Sequence, residues 1–279
     1  MNKEAKSPPI DSAGTPVPAS SAPLSRRFPP LLNTYTPARV WLERTGHSLA
    51  TREILNLQLA NAQARDAVHA SLDLSALIDG LTQRRHPHLV LTSAAATRAD
   101  YLRNPALGRN LSRDSVARLE AAISSPANTD PGDIAFIIAD GLSARAIDGH
   151  ALPLLDATLP QLDPAWRIAP ICIVEQARVA IADPIGELLG AKIAVILIGE
   201  RPGLSSSDSL GVYITWNPRP GRTDADRNCI SNIHPQGLSY REAAKLLHFY
   251  LTESRRRQLS GTLLKSTAGA AHTLPEPVK

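Results

Sequence analysis

Three short, unbroken apolar runs constrain this chain more than any other feature: Ile134–Ala139 (IAFIIA), Ile168–Val174 (IAPICIV) and Ile193–Ile198 (IAVILI). A strand wetted on one face alternates apolar and polar residues. Runs that do not alternate, and that are rich in β-branched side chains, belong to strands buried on both faces, as in parallel sheets covered by helices. Each run ends in a polar loop, at Asp140-Gly141-Leu142-Ser143, Glu175-Gln176 and Gly199-Glu200-Arg201-Pro202-Gly203. Leu210–Trp216 alternates more and reads as a fourth strand. Helical stretches lie between or after these runs, at Leu142–Leu155, Asp183–Leu189 and Ser239–Leu259. Asp183 reads as an N-cap with Pro184 at the first helical position. Ser239 and Glu242 have capping-box spacing, Gly261 is a stop signal, and Ala243, Leu246, Leu247, Tyr250 and Leu251 form a buried stripe. Strand–helix alternation predicts an α/β fold, an open and mostly parallel Rossmann-like sheet covered by helices, over residues 110–265.

Upstream the rhythm is helical. Thr51–Leu72 has no Pro or Gly; Ile54, Leu55, Leu57, Leu59 and Ala62 mark a broad face, and Thr51 is placed to cap it. Arg65, Asp66 and His69 share a face by helical spacing. They read as a surface ion pair beside a histidine, or as a polar face pressed against a partner chain. Residues 1–37 hold eight of the 23 prolines among Ser, Ala and Thr, a composition that cannot build a core and predicts a disordered tail. The expected organisation is therefore a Pro-rich tail (1–37), a helical N-terminal region (38–109), the sheet domain (110–265) and a flexible C-terminal tail (266–279).

Composition excludes several classes. At 43% apolar and 20% charged, the chain is neither wholly disordered nor fibrous. Apolar runs such as Ile193–Ile198 stop far short of the ~20 residues that span a bilayer. The start, Met-Asn-Lys-Glu-Ala-Lys, leads into no apolar segment, so the cytoplasm is the expected location. Two cysteines, Cys172 and Cys229, give neither a disulfide framework nor a thiolate zinc site. The net charge of +4 rests on 24 Arg against 6 Lys, spread among 26 acidic residues. Arg84-Arg85 and Arg255-Arg256-Arg257 are the local exceptions, and they read as solvated faces, the second also complementing a helix C-terminus. Aromatics are 4%, so base stacking has little to work with and nucleic acid is not an expected partner.

In an open parallel sheet, ligands bind beyond the carboxyl ends of the strands. That directs attention to Asp140–Ser143, Glu175–Arg178, Gly199–Asp208 and Asn217–Asn232. The glycine fingerprints of dinucleotide and P-loop sites are absent, as are Gly-x-Ser-x-Gly and His-Glu-x-x-His. His86 and His88 flank Pro87 at a spacing suited to a turn. Asp148-Gly149-His150-Ala151-Leu152-Pro153 starts like Asp-x-His-x-x-Gly, a motif by which some cobalamin proteins place a histidine on cobalt. Pro153 occupies the last Gly position, and the segment reads as a turn or helix end.

The longest distinctive block is Gly211–Tyr240, GVYITWNPRPGRTDADRNCISNIHPQGLSY. Together with LQLANAQARDAVH (57–69), ADGLSA (139–144), EQARVAIADPIGELLGA (175–191) and IGERPGL (198–204), it resembles the light (small) chain of ethanolamine ammonia-lyase, in order from about Thr36 to Gly261. PRPGRT (218–223) varies within that family and carries no weight.

The resemblance implies a subunit of an enzyme that converts ethanolamine to acetaldehyde and ammonia with adenosylcobalamin. A heavy chain with a TIM-type barrel binds ethanolamine, and the light chain closes over the cobalamin at the subunit interface. In this family the cofactor keeps its own benzimidazole on cobalt, in keeping with the broken motif at Pro153. Family cobalamin-binding positions fall on Val179, Glu200 and Cys229; no catalytic residue and no metal ligand falls on this chain. Glu200 is suited to accept from corrin amides or a ribose hydroxyl, its competing reading being an ion pair with Arg201 or another arginine. Cys229 is suited to line an apolar wall, or else is a buried structural thiol, and Val179 offers packing. Some family members reside in a bacterial microcompartment, an alternative address to the open cytoplasm. Two other classes stay open from the residues alone: a self-sufficient α/β enzyme or nucleotide-binding protein, and an Arg-rich nucleic-acid module.

Overall fold

The computed structural model describes residues 44–124 and 132–265, with Arg39 and Leu42 as isolated positions. The predicted tails, 1–37 and 266–279, lie outside the described residues. The chain divides into two compact units, Met1–Asn61 and Ala62–Lys279. In the first, β1 (Arg44–Thr45) and β2 (Ser48–Leu49) pair antiparallel, and helix α1 (Thr51–His69) begins. The Ala50 carbonyl accepts from the Glu53 and Ile54 amides, so Thr51 is the first helical residue and not the cap. Ile54, Leu55 and Leu59 are exposed, at 41%, 58% and 58%. Arg65, Asp66 and His69, on the part of α1 that falls in the second unit, are exposed too.

The second unit is the α/β sheet. Helix α2 (Leu74–Gln83) leads to strand β3 (His88–Thr92), then α3 (Arg98–Arg103) and α4 (Arg113–Ile123). The series continues with β4 (Ile134–Ala139), α5 (Ala144–Thr158), β5 (Ile171–Glu175), α6 (Ala182–Leu188), β6 (Ile193–Gly199), β7 (Leu210–Trp216), β8 (Arg227–Ile233) and α7 (Tyr240–Arg257). The six strands are ordered β3-β5-β4-β6-β7-β8. The first four are parallel, and β7 runs antiparallel to both neighbours.

Successive residues of a strand point to opposite faces, and here both faces are dry over the parallel strands. Ile134, Phe136 and Ile138 pack with α5 and α7 residues, among them Ile147, Leu154, Leu247 and Leu251. Ala135, Ile137 and Ala139 pack with Leu119 of α4 and Ile185 of α6. Every residue of β4 and β6 is buried, which is why these runs show no alternation.

Several local expectations are corrected. The second apolar run does not start its strand at Ile168, because Pro170 has no amide to donate; β5 begins at Ile171, and Ile168 only bridges to Ile134. Helix α6 starts at Ala182, so Asp183 is not an N-cap; its carboxylate is committed elsewhere. Gln258, at φ 55°, ends α7 ahead of Gly261, while Ser239 and Glu242 close the capping box as expected. Asp148–Pro153 is neither turn nor helix end but the middle of α5. The Asp148 carboxylate accepts from the Asp73 amide, and the buried His150 meets the Tyr240 hydroxyl through Nδ1 at 2.7 Å. The helix runs on through Pro153 to Thr158.

Candidate functional site

Three of the four loops marked by the sequence lie together at the carboxyl ends of parallel strands: Asp140–Ser143 after β4, Glu175–Arg178 after β5 and Gly199–Asp208 after β6. The fourth does not. Because β7 reverses direction, Asn217 donates its amide to the Lys192 carbonyl at the other end of the sheet, and Arg227–Asn232 is strand β8. A cavity of about 450 Å³ at that far end, lined by Lys192, Trp216, Asn217, Arg255 and Gln258, contains none of the predicted site residues.

Helix α5 follows β4 on one face and α6 follows β5 on the other. The chain thus leaves adjacent strand ends in opposite directions, the arrangement that opens a crevice at a sheet edge. Asp140 fills the base of this crevice. Its carboxylate accepts from the Ala177 amide at 3.0 Å and from Arg98 at 3.2 Å. Burial raises its pKa against these favourable contacts.

Glu200 and Cys229 come together around Tyr213. On the α6 side of the sheet, β7 presents Gly211, Tyr213 and Thr215, and β8 presents Arg227, Cys229 and Ser231, by the two-residue period. Tyr213 and Cys229 are directly paired neighbours. Residues of α4 and α6 close this face over the parallel strands, whereas Cys229, Ser231 and Asn232 stay exposed. The result is an open shelf on one half of one face.

Glu200 overhangs it. Its Oε2 accepts from the Ser209 hydroxyl and from the Asn232 amide, the latter at 3.2 Å. Among the described residues its Oε1 has no hydrogen-bond partner and no arginine forms an ion pair with it. A side chain at Gly211 would crowd this carboxylate, since an added Cβ would sit 3.0 Å from Oε1. Packing raises the Cys229 thiol pKa, partly offset by its contact with the Tyr213 hydroxyl, so Cys229 is a neutral, apolar wall at neutral pH. Burial and the neighbouring Cys229 and Glu200 also raise the Tyr213 phenol. Val179 begins a single 3₁₀ turn into α6 and is half-buried in the core of the same face. Strand β5, which Val179 follows, and strand β8, which carries Cys229, are four steps of ~4.8 Å apart, roughly 19 Å, a breadth that suits a large flat ligand.

The shelf's floor is built by a residue to which the sequence assigned no role. Arg227, side chain 2% exposed, donates from Nη1 and Nη2 to both oxygens of Asp183 at 2.7 Å and from Nη1 to Thr215 at 3.0 Å. This bidentate pair ties β8 to α6 across β7. The basic clusters, by contrast, are occupied locally. Arg84 binds Asp156 at 2.6 Å, Arg255 stacks on Trp166 at 4.4 Å, and Arg256 and Arg257 share Glu253.

Comparison with known proteins gives this geometry a family. Residues 30–265 match the family described as ethanolamine ammonia-lyase light chain. The chain belongs to that family. It is 55% identical over 239 residues to the ethanolamine ammonia-lyase small subunit of Pseudomonas aeruginosa (strain LESB58), covering 85% of this chain and 86% of that one. The small subunit of Azotobacter vinelandii (strain DJ / ATCC BAA-1303) is 54% identical over 242 residues, 86% and 88% of the two chains. That of Pseudomonas putida (strain GB-1) is 52% identical over 238 residues, 85% and 87%.

In this member of the light-chain family, the sequence blocks that carried the resemblance sort by position. ADGLSA, EQARV and IGERPG are the three strand-end loops, and DRNCISNI is β8. The sequence gives Tyr213 and Arg227 no role because the pairing of β7 with β8, which sets Tyr213 beside Cys229 and Thr215 beside Arg227, depends on a segment that reads as loop; β8 is nevertheless a strand. Its alternating RNCISNI pattern places Arg227, Cys229 and Ser231 on one face, and that period was the available signal. Among the described residues no helix is long and apolar enough to cross a membrane.

Proposed function

We propose that this chain is the light chain of an adenosylcobalamin-dependent ethanolamine ammonia-lyase and closes the cofactor site against a heavy chain that binds ethanolamine. The complex converts ethanolamine to acetaldehyde and ammonia in ethanolamine catabolism, in the cytoplasm or within a bacterial microcompartment. The observation that supports this best is the open shelf with Glu200 above it. One carboxylate oxygen is anchored and the other is a spare acceptor, facing a surface of breadth and polarity suited to an amide-rimmed corrin. Val179 and Cys229 supply packing along the same face, and Ser209 and the Asn232 amide hold Glu200 in place. Homolysis of the cobalt–carbon bond is the chemistry the cofactor supplies; this chain binds, orients and excludes water. Ile54, Leu55 and Leu59, left exposed on α1, offer apolar surface to the heavy chain.

The test is visible absorbance of adenosylcobalamin with the chain alone and with the chain co-expressed with a candidate heavy chain. Spectral change, with ammonia released from ethanolamine, is expected only for the pair. A pair that assembles but neither binds cobalamin nor releases ammonia would overturn the reading and favour a self-sufficient α/β enzyme.

A further inference from the structure

The strand-end crevice holds two guanidinium groups and one carboxylate positioned to meet them. Tyr101, fully buried, lies between Arg98 at 4.7 Å and Arg178 at 4.4 Å from its ring centroid, and its hydroxyl donates to the Ala177 carbonyl. Arg98 spends its Nε and Nη1 on Asp140, the Gly141 and Val68 carbonyls and Gln176 Oε1, with only its Nη2 buried and unpartnered. Asp140 is thereby engaged. Arg178 has nothing comparable. Its guanidinium forms no hydrogen bond or ion pair with the described residues, and its Nε is buried without a partner.

The seat of Arg178 is nonetheless built. Its amide donates to the Gly108 carbonyl at 2.7 Å. At Gly108 a Cβ would lie 2.9 Å from the Tyr101 ring and 3.0 Å from Arg178 Cγ, so only glycine leaves room for both. Gln176, two residues earlier, is in the left-handed region at φ 55°, and this sharp turn at the end of β5 directs the chain into the crevice. A half-buried cation seated 4.4 Å from a ring centroid, with its buried Nε unpartnered, is costly without an anion to meet it. A planar guanidinium suits a phosphate or carboxylate.

We infer that Arg178 is an anion-binding residue of the light chain and that its ligand is the phosphodiester of cobalamin's nucleotide loop. This rests on the proposed cobalamin function. Arg178 adjoins Val179 at the end of β5, while Glu200 follows β6 two strand steps away, about 10 Å. The corrin's amide side chains are neutral and suit the Glu200 acceptor, whereas the nucleotide loop carries a negative charge on its phosphodiester. The anionic and cationic side chains at this edge thus match the two kinds of polar group on that ligand.

The experiment compares cyanocobalamin with cyanocobinamide, which lacks the nucleotide loop, by equilibrium binding to the purified two-chain complex. Arg178→Gln is expected to weaken cyanocobalamin roughly ten- to hundredfold, the range a hydrogen bond to a charged group supplies, and to leave cyanocobinamide unchanged. Arg178→Lys keeps a charge over Tyr101 and covers a Gln variant that does not fold; it should lose cobalamin affinity selectively but by less. Equal losses for both corrinoids, or none, would overturn the inference while leaving the cobalamin function intact. Dissociation of the two chains in either variant, read by gel filtration without cofactor, would overturn it in favour of a partner-chain carboxylate. Failure of the wild-type complex to bind either corrinoid would instead sink the cobalamin function itself.

Discussion

Arg227 and Arg178 are both drawn out of water at the margins of the same sheet, and they are finished in opposite ways. Arg227 meets a buried carboxylate in a bidentate grip and a threonine besides; both of its Nη groups are met from this chain, and only its Nε, 3.7 Å from Asp224, makes no hydrogen bond. Arg178 meets an aromatic ring and a turn of backbone, and its donors point to nothing within the described residues. The first arrangement neutralises its charge within the chain and serves as a stabilising device. On the inference drawn above, the second is half of an interaction. A buried charge satisfied internally reports on folding, and one held in place but unsatisfied reports on what binds.

The largest expected effect falls on the closed centre. Arg227→Ala strands the Asp183 carboxylate and should destabilise the chain by about 3–5 kcal/mol, measured by urea denaturation. A loss under about 1 kcal/mol would erase the distinction between the two arginines. On the open side, Glu200→Ala should weaken corrinoid binding by the complex roughly tenfold or more, with its thermal midpoint little changed. Unchanged affinity would remove Glu200 from the site. Arg178→Gln takes away an uncompensated cation, so its effect on unfolding free energy should stay within about 1 kcal/mol of zero, of either sign. A loss as large as that of Arg227→Ala would mean Arg178 is structural after all.

The smallest effect belongs to a pair that is neither buried nor open. Arg84 grips Asp156 with both partners substantially exposed, and its hydrogen bonds hold the Asp156 carboxyl below the ordinary value of 3.8. A depressed carboxylate pKa contributes stability above the unfolded value, lost as pH falls through the folded one. Arg84→Ala should therefore cost less than about 1 kcal/mol at neutral pH, since solvent screens the pair. That difference should disappear in acid below the carboxylate range, and a difference that persists there would show the contact is not electrostatic.

How much of this was legible beforehand follows from burial. The parallel core strands were readable because burial on both faces leaves an unbroken apolar word, and IAFIIA and Leu210–Trp216 match β4 and β7 end to end. β8 carries only a weak strand signal: RNCISNI has the two-residue period, but its polar residues and cysteine make a pattern also found in loops. β3, HLVLT, was hidden in a region that read as helical, being short and paired only along one edge. Asp183 looked like a cap because the residues around it favour a helix start, and the partner that claims it lies 44 positions away.

The division has a physical basis. Periodicity, caps and chain breakers act within a few residues, so the strand–helix alternation, the capping box at Ser239 and the glycine- and arginine-rich loop segments could be read in one pass along the chain. Strand direction, the side of the sheet a loop emerges on, and which ion finds a counter-ion depend on pairings between distant segments. Only folding turned β7 around, carried Asn217 to the far end, set Glu200 over Gly211 and Cys229, and closed Arg227 on Asp183 while leaving Arg178 open.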